Sequence, residues 1–359
     1  MQPIARPAWR IALDGRDLSD RLRPYLMSIA LQERREDAAD QLTVDLDDSA
    51  GDLALPPVGA TIQVQLGFEG QDGGVAAGLF DKGLFTVDEV THSGPPDRIT
   101  LRARSADFTS SWRMRRDQSW QDVTLGAVLQ ELAGRQEIKA RIAAALASRQ
   151  FATLVQSRES DLAFLRRLGK ENDAVATVKN GTLLFLPLAG GQTAGGESLP
   201  PVRIAYRDGD GHDYRIAARE EYSGVTAKWH DKQAAKEKTV KARAAKAKAE
   251  PEEAPSVTTG DAENPKVLHK IFASEEEAQR AADAEWARIR RAPRSLSVNL
   301  AFGRPEIGAE QPVTLTGFRA EITAENWIVA SVAHNLDPRS GLTTRLECEV
   351  PIAGAGSIG

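Results

Sequence analysis

The side chains with the widest chemical range are five histidines, His92, His212, His230, His269 and His334, and one cysteine, Cys348. Imidazole can carry protons near neutral pH or ligate a metal, and a thiolate can act as nucleophile or ligand. Their spacing assembles no familiar set. The chain has no His-Glu-x-x-His pair, no Gly-x-Ser-x-Gly elbow and no glycine-rich phosphate loop ending in Lys-Ser/Thr. Asp208-Gly209-Asp210-Gly211-His212-Asp213 begins like a calcium loop, with oxygens at alternate positions. It then fails: Asp213 stands where the loop needs glycine, and Arg219 where it needs a bidentate Glu. The stretch reads better as a polar turn between strands that end at Tyr206 and begin at Tyr214. The carboxylate pairs Asp47-Asp48 and Glu220-Glu221 have no catalytic context. Cys348 alternates with Leu346 and Val350 and reads as buried rather than reactive. These residues therefore assign no catalytic, cofactor-binding, metal-ligating or nucleic-acid-binding position, and no cofactor.

His92 and His334 need a separate account because they end two similar phrases. One is Phe85-Thr-Val87-Asp-Glu-Val90-Thr-His92, the other Trp327-Ile-Val329-Ala-Ser-Val332-Ala-His334. Aromatic, Val, Val and His recur at the same spacing. An earlier echo accompanies each phrase: Pro57-Val-Gly59-Ala60 and Pro305-Glu-Ile-Gly308-Ala309. A paired metal or proton site is one reading. Duplication is the simpler one: it places a histidine at the end of the same strand in two separate domains, where each bonds a turn.

The elements around these phrases are mainly strands. Met27, Ile29 and Leu31 alternate with polar or small residues, as do Leu42, Val44 and Leu46, and then Ile62, Val64, Leu66 and Phe68. A period of two buries one face of a strand, and short strands split by Gly, Pro and Asp favour a barrel or sandwich. The charged segment 33–40 joins two of these strands. From residue 105 the pattern turns helical, over 124–133, over an Ala-rich stretch at 137–146, and after the capping Ser160. Asn180-Gly181 is a hairpin turn. Residues 232–265 are Ala/Lys-rich and then acidic, with few large apolar side chains, so a solvated helix or disordered insertion is expected there. Ser274 and Glu277 form a capping box for a helix over 275–291. The expected domains are 1–104, a first β-barrel; 105–199, a small α+β domain; and 200–359, a second β-barrel carrying the insertion. The fold class is thus mainly β with α+β.

Composition bounds the function. The net charge of −5 argues against a basic nucleic-acid-binding face. The longest apolar stretch, Trp327 to Ala333, is far short of the ~20 residues a membrane helix requires, so no membrane insertion is expected. The N-terminus shows no secretory signal pattern.

The ordered set of motifs resembles the phage late control gene D family, the tail or baseplate hub proteins of contractile tails. Ala39-Asp40-Gln-Leu42-Thr-Val44-Asp-Leu46 and Pro56-Pro-Val-Gly59-Ala carry the likeness near the N-terminus. Gly83-Leu-Phe85 to Pro96, Gln156-Ser-Arg-Glu159-Ser160-Asp161-Leu162, the helix ending near Trp286 and Val332-Ala-His334 to Gly341 carry it further on. Residues 232–265 match nothing in the family. The resemblance implies a homotrimer whose chains each supply two tube-like barrels. It also implies contacts with a tail tube protein, a central spike, tape-measure and other baseplate proteins, and a lumen that passes DNA without specific binding. It places the protein in the virion, assembled in the host cytoplasm. The corresponding hub of a type VI-like spike or a phage-tail-like bacteriocin is the nearest alternative. Because the chain ends at Gly359 without a needle-like domain, a separate spike is expected. A tail-associated peptidoglycan hydrolase or a late-gene regulator would need an acidic pair in a cleft or a recognition helix, and the residues offer neither. On the insertion reading, deletion of 232–265 leaves the barrels folded.

Overall fold

The computed structural model describes residues 6–35, 39–70, 78–105, 110–179, 181–188, 190–191, 197–216, 222–231, 236–240, 256–260, 264–291 and 294–350. The first barrel comprises β1 (Arg6–Leu13), β2 (Arg16–Asp17), α1 (Ser19–Leu22), β3 (Leu26–Arg34), β4 (Gln41–Asp47), β5 (Thr61–Glu69), β6 (Gly78–Ser93) and β7 (Arg98–Ser105). Alternation decides its inside: Ile29, Leu31, Leu42, Val44, Ile62, Val64 and Phe85 are buried in one core.

A middle unit follows, with β8 (Arg115–Thr124), α2 (Leu125–Arg135), β9 (Lys139–Ile142), α3 (Ala144–Ala147), β10 (Gln150–Ser160), α4 (Asp161–Glu171), β11 (Ala174–Lys179) and β12 (Thr182–Pro187). The hydroxyls of Thr124 and Ser160 cap α2 and α4 by accepting from the Ala127 and Ala163 amides. The Ala-rich stretch 137–146 is not the single helix its composition suggests, and only its end, at the start of α3, is helical. Glu137 takes φ 55, which turns the chain out of α2, and β9 then pairs in parallel with β12. Partly buried Ile138, Ala140 and Ile142 pack on the core of the unit, so tertiary burial overrides alanine's helix preference.

The second barrel is interrupted. Its first strands are β13 (Val202–Ala205) and β14 (Gly209–Ile216). There follows an inserted unit of β15 (Gly224–Asp231), β16 (Lys236–Val240), β17 (Ser256–Gly260), β18 (Pro265–Phe272) and α5 (Glu275–Arg291). The barrel resumes with β19 (Arg294–Leu300), β20 (Pro312–Thr316), α6 (Ala320–Thr323), β21 (Trp327–Asp337) and β22 (Gly341–Glu349). Two parts of the segment expected to be solvated are therefore strands, since β16 and β17 both pair with β15. A backbone ladder needs no large apolar side chains of its own when a neighbouring strand and a covering helix supply the core. Here β15, β18 and α5 do so, through Val225, Ala227, Phe272, Ala278 and Ala282. Residues 241–255 lie outside the described residues. Deletion of 232–265 would remove two paired strands rather than a solvated appendage.

The barrels share one topology. Neighbouring strands run β3-β4-β7-β6-β5 in the first and β14-β19-β22-β21-β20 in the second. The duplication reaches the irregularities. The β6–β7 ladder shifts register between Val87 and Glu89, and β21–β22 shifts between Val329 and Ser331. The β3–β4 ladder shifts between Leu26 and Ser28, and β14–β19 between Gly209 and Gly211. Bulges at matching positions bend matching strands. The earlier echo aligns differently from its sequence. Gly59 donates to the Val87 carbonyl, and the residue donating to the Val329 carbonyl is Glu310, not Gly308. Both take positive φ, 94° for Gly59 and 70° for Glu310, so the equivalence is one of backbone shape. Phe85 and Trp327 fill equivalent core positions, each 1% exposed. Replacing either by Ala should cost about 3–5 kcal/mol, measurable as a lowered urea midpoint of unfolding.

Candidate functional site: the seam between the barrels

The first barrel's edge strand β3 pairs antiparallel with β21 of the second, from Ile29 opposite Leu336 to Arg34 opposite Ser331. The two barrels therefore belong to one continuous sheet. Leu336 and Leu342, from the β21–β22 hairpin, are buried in the core of the first barrel. The second barrel thus completes the core of the first, whereas its own core is lined by its own residues.

Ile29, Leu31, Glu33 and Arg35 occupy alternate positions, so the face that is apolar early in β3 becomes charged at its end. The Lys82 ammonium lies 2.6 Å from Glu33 Oε2, and Lys82 also donates to the Pro305 carbonyl at 2.9 Å. His334 faces the same carboxylate, with Nε2 3.3 Å from Glu33 Oε2. Its Nδ1 is 2.9 Å from Thr344 Oγ1, and that oxygen accepts from the Arg304 amide. A carboxylate can only accept, so the proton belongs on Nε2 and the Thr344 hydroxyl donates to Nδ1. Arg35 reaches Glu310 at 3.5 Å and also pairs with Glu349. On the outer side, Lys179 of the middle unit meets Asp40 at 3.3 Å.

Burial shapes the protonation of this cluster. His334 is fully buried, and desolvation, aided by nearby Lys82, pushes its pKa below the ordinary value despite Glu33. It is a neutral imidazole at neutral pH. Burial pulls the Glu33 carboxyl upward, but the His334 contact and the Lys82 charge win and hold it down at about 2. Asp40 is raised, chiefly by burial. The cluster is a set of paired charges that spans both barrels.

The other chemically capable residues are scattered. His92 is exposed near the end of β6, with Nε2 3.5 Å from Asp48 Oδ2. His334 instead lies within β21, so the expectation of two equivalent strand-end histidines fails for the second. Its environment differs because β3 covers it, whereas among the described residues no strand covers His92. Asp208 to Asp213 is not a turn between strands. Asp208 accepts from the Ala205 amide at 2.8 Å, and β14 begins at Gly209. His212 lies against Tyr206 and Phe318. His269 is exposed, the side chain of His230 lies outside the described residues, and so do Glu220 and Glu221. Cys348 is buried, and desolvation with Glu347 and Glu349 nearby raises its thiol to about 12. Among the described residues, no group of three His, Cys, Asp or Glu side chains could hold a metal ion. No helix there is long and apolar enough to cross a membrane. A cleft of about 480 Å³ separates β10 and α4 from β18 and α5; of its three carboxylates, Glu159 and Glu171 are held by Arg167, and burial raises the third, Glu277.

The seam is hidden in the sequence because Glu33 to Asp40 looks like a charged connector. One signal was available: Glu33 and Arg35 continue the two-residue period of Ile29 and Leu31 and so point inward.

The family model for the phage tail baseplate hub (GPD) matches residues 41–338. The chain belongs to this family. Probable baseplate hub proteins of Escherichia phages P2 and 186 are 39% and 38% identical over 371 aligned residues, covering 97% of this chain and 94% of each relative. The tail protein from Neisseria meningitidis MC58 has the same fold, with a TM-score of 0.67 over 96% of both chains at 12% identity. In this baseplate hub chain the seam fixes how the duplicated barrels sit against each other.

Two outcomes test the seam. Lys82→Met strands a buried carboxylate and should cost about 3–5 kcal/mol, with much of the loss recovered by adding Glu33→Gln, as read from urea unfolding at pH 7. Glu33 is depressed in the folded state, so its contribution is complete above the unfolded value and is lost as pH falls from about 4.5 towards about 2. That loss should amount to about 3 kcal/mol and be absent from the acid limb of Glu33→Gln.

Proposed function

We propose that three copies of this hub chain close a ring of six barrels that joins a six-fold tail tube to a three-fold central spike. The observation that carries this reading is the duplicated topology with its matching bulges. Two near-equivalent barrels per chain turn a three-fold assembly into a six-fold face. The contact between barrels of different chains is heterologous, and such contacts close into a ring when the rotation permits. The function is mechanical: a rigid, shape-matched adapter with no catalytic step.

The partners follow from the geometry of the role. They are a tube protein on the pseudo-six-fold face, a central spike protein on the three-fold face, and tape-measure and other baseplate proteins nearby. DNA passes the lumen without specific contacts, in keeping with a net charge of −5. The protein acts in the virion tail after assembly in the host cytoplasm.

Mass photometry of the full chain with its spike protein should show three hub chains per complex. A stable single hub chain on the spike would overturn this function.

A further inference from the structure

The cleft between the middle unit and the inserted unit has no part in joining the barrels. Its walls are β10 on one side and β18 with the start of α5 on the other. Both walls belong to sheets separate from the barrel sheet, so the cleft can take a partner while the barrels serve the ring. Its lining runs along β10 from Phe151 to Ser157, a span of ~20 Å, which suits an extended segment of about six residues. Val155 on one wall and Ile271 on the other are 46% and 42% exposed, beside buried Phe151, Leu154 and Phe272.

Charge decides what fits there. The cations of the cleft are already engaged. Arg167 holds Glu159 and Glu171 and donates to the Val155 carbonyl at 2.7 Å. Lys270 pairs with Glu171, and Arg280 donates to the Gln150 carbonyl at 3.2 Å with its guanidinium over the Phe151 ring. Glu277 is different. One of its carboxylate oxygens, Oε1, is buried and accepts no hydrogen bond. Burial raises its pKa, because the Ala273 amide and the more distant charges of Arg280 and Lys270 do not compensate. A buried acceptor without a donor costs free energy, so the fitting occupant brings a cation to Glu277. The arginines also exclude one binding mode. They take carbonyls towards both ends of the β10 wall, so the occupant is not a third strand of the β8–β10 ribbon and is read through its side chains.

We infer that an extended segment of another baseplate protein lies in this cleft, with apolar side chains on Val155 and Ile271 and a lysine or arginine between them that pairs with Glu277. The source of the segment rests on the hub function proposed above; its chemistry rests on the cleft alone. The apolar contacts supply burial, and the cation selects one segment and one register, since any other neighbour leaves the Glu277 oxygen without a donor.

Tail particles assembled with the full chain test this. p-Benzoylphenylalanine placed at Val155 or at Ile271 should, on irradiation of purified tails, give an adduct between this chain and one other baseplate protein. Mass spectrometry should place the adduct within about three residues, ~10 Å of extended chain, of a lysine or arginine in that protein. Adding Glu277→Gln keeps the shape and removes the charge, and should lower the adduct yield about tenfold with the hub content of the tails unchanged. An adduct with no cation nearby, or one formed at full yield with Glu277→Gln, overturns the pairing. An adduct only to a second copy of this chain, or none in tails that contain the labelled chain, overturns the docking and leaves the hub function intact. Tails that assemble without any copy of the chain overturn the hub function itself.

Discussion

The ion pair between Lys82 and Glu33 constrains more of this molecule than any other single contact. Lys82 comes from β6 of the first barrel and also bonds the Pro305 carbonyl of the second. Glu33 sits at the end of β3, against β21. A buried carboxylate without its cation is costly, so every arrangement that separates the barrels or slips the β3–β21 register by one residue leaves charges stranded. Arg35 with Glu310 and Glu349 extends the same requirement along the seam. The net stability from such groups is small. Their effect is to penalise the alternatives, while Leu336 and Leu342 supply the apolar burial that favours the native join.

The duplicated barrels show which features a repeat keeps and which it changes. Backbone features persist: strand order, two bulges and the positive φ before the β5 and β20 strands. Side chains diverge where the surroundings diverge. Glu310 occupies the backbone position of Gly59 because its carboxylate is held by Arg35, a partner that only the seam provides. His334 is a neutral buried link, and His92 is a solvated one.

The inserted unit is placed with the same economy. It replaces the short connection between β14 and β19, whose counterpart between β3 and β4 of the first barrel is residues 35–40, and so leaves the barrel ladder intact. Its helix α5 leans on the middle unit. Arg280 covers the Phe151 ring with its guanidinium 4.9 Å from the centroid and bonds the Gln150 carbonyl, and Lys270 pairs with Glu171. Middle unit and insertion thereby pack together beside the barrels.

Much of this was legible in residue order. Alternating apolar positions set the barrel strands, Thr124 and Ser160 set helix starts, and the repeated aromatic-Val-Val spacing declared two related units. These are local rules with periods of two or 3.6, and they act without knowledge of distant chain. Other features needed the tertiary structure. Composition made 137–146 look helical and 232–265 look solvated, because alanine and lysine state no preference strong enough to resist a neighbouring strand edge. The charges of Glu33, Arg35 and Lys82 look like surface until partners more than two hundred residues away bury them. By itself the sequence determined that there are two copies of one barrel, since local patterning is enough to specify each. Only the tertiary structure decided how the copies join, because the join depends on desolvated charges whose cost exists only once the second barrel excludes water.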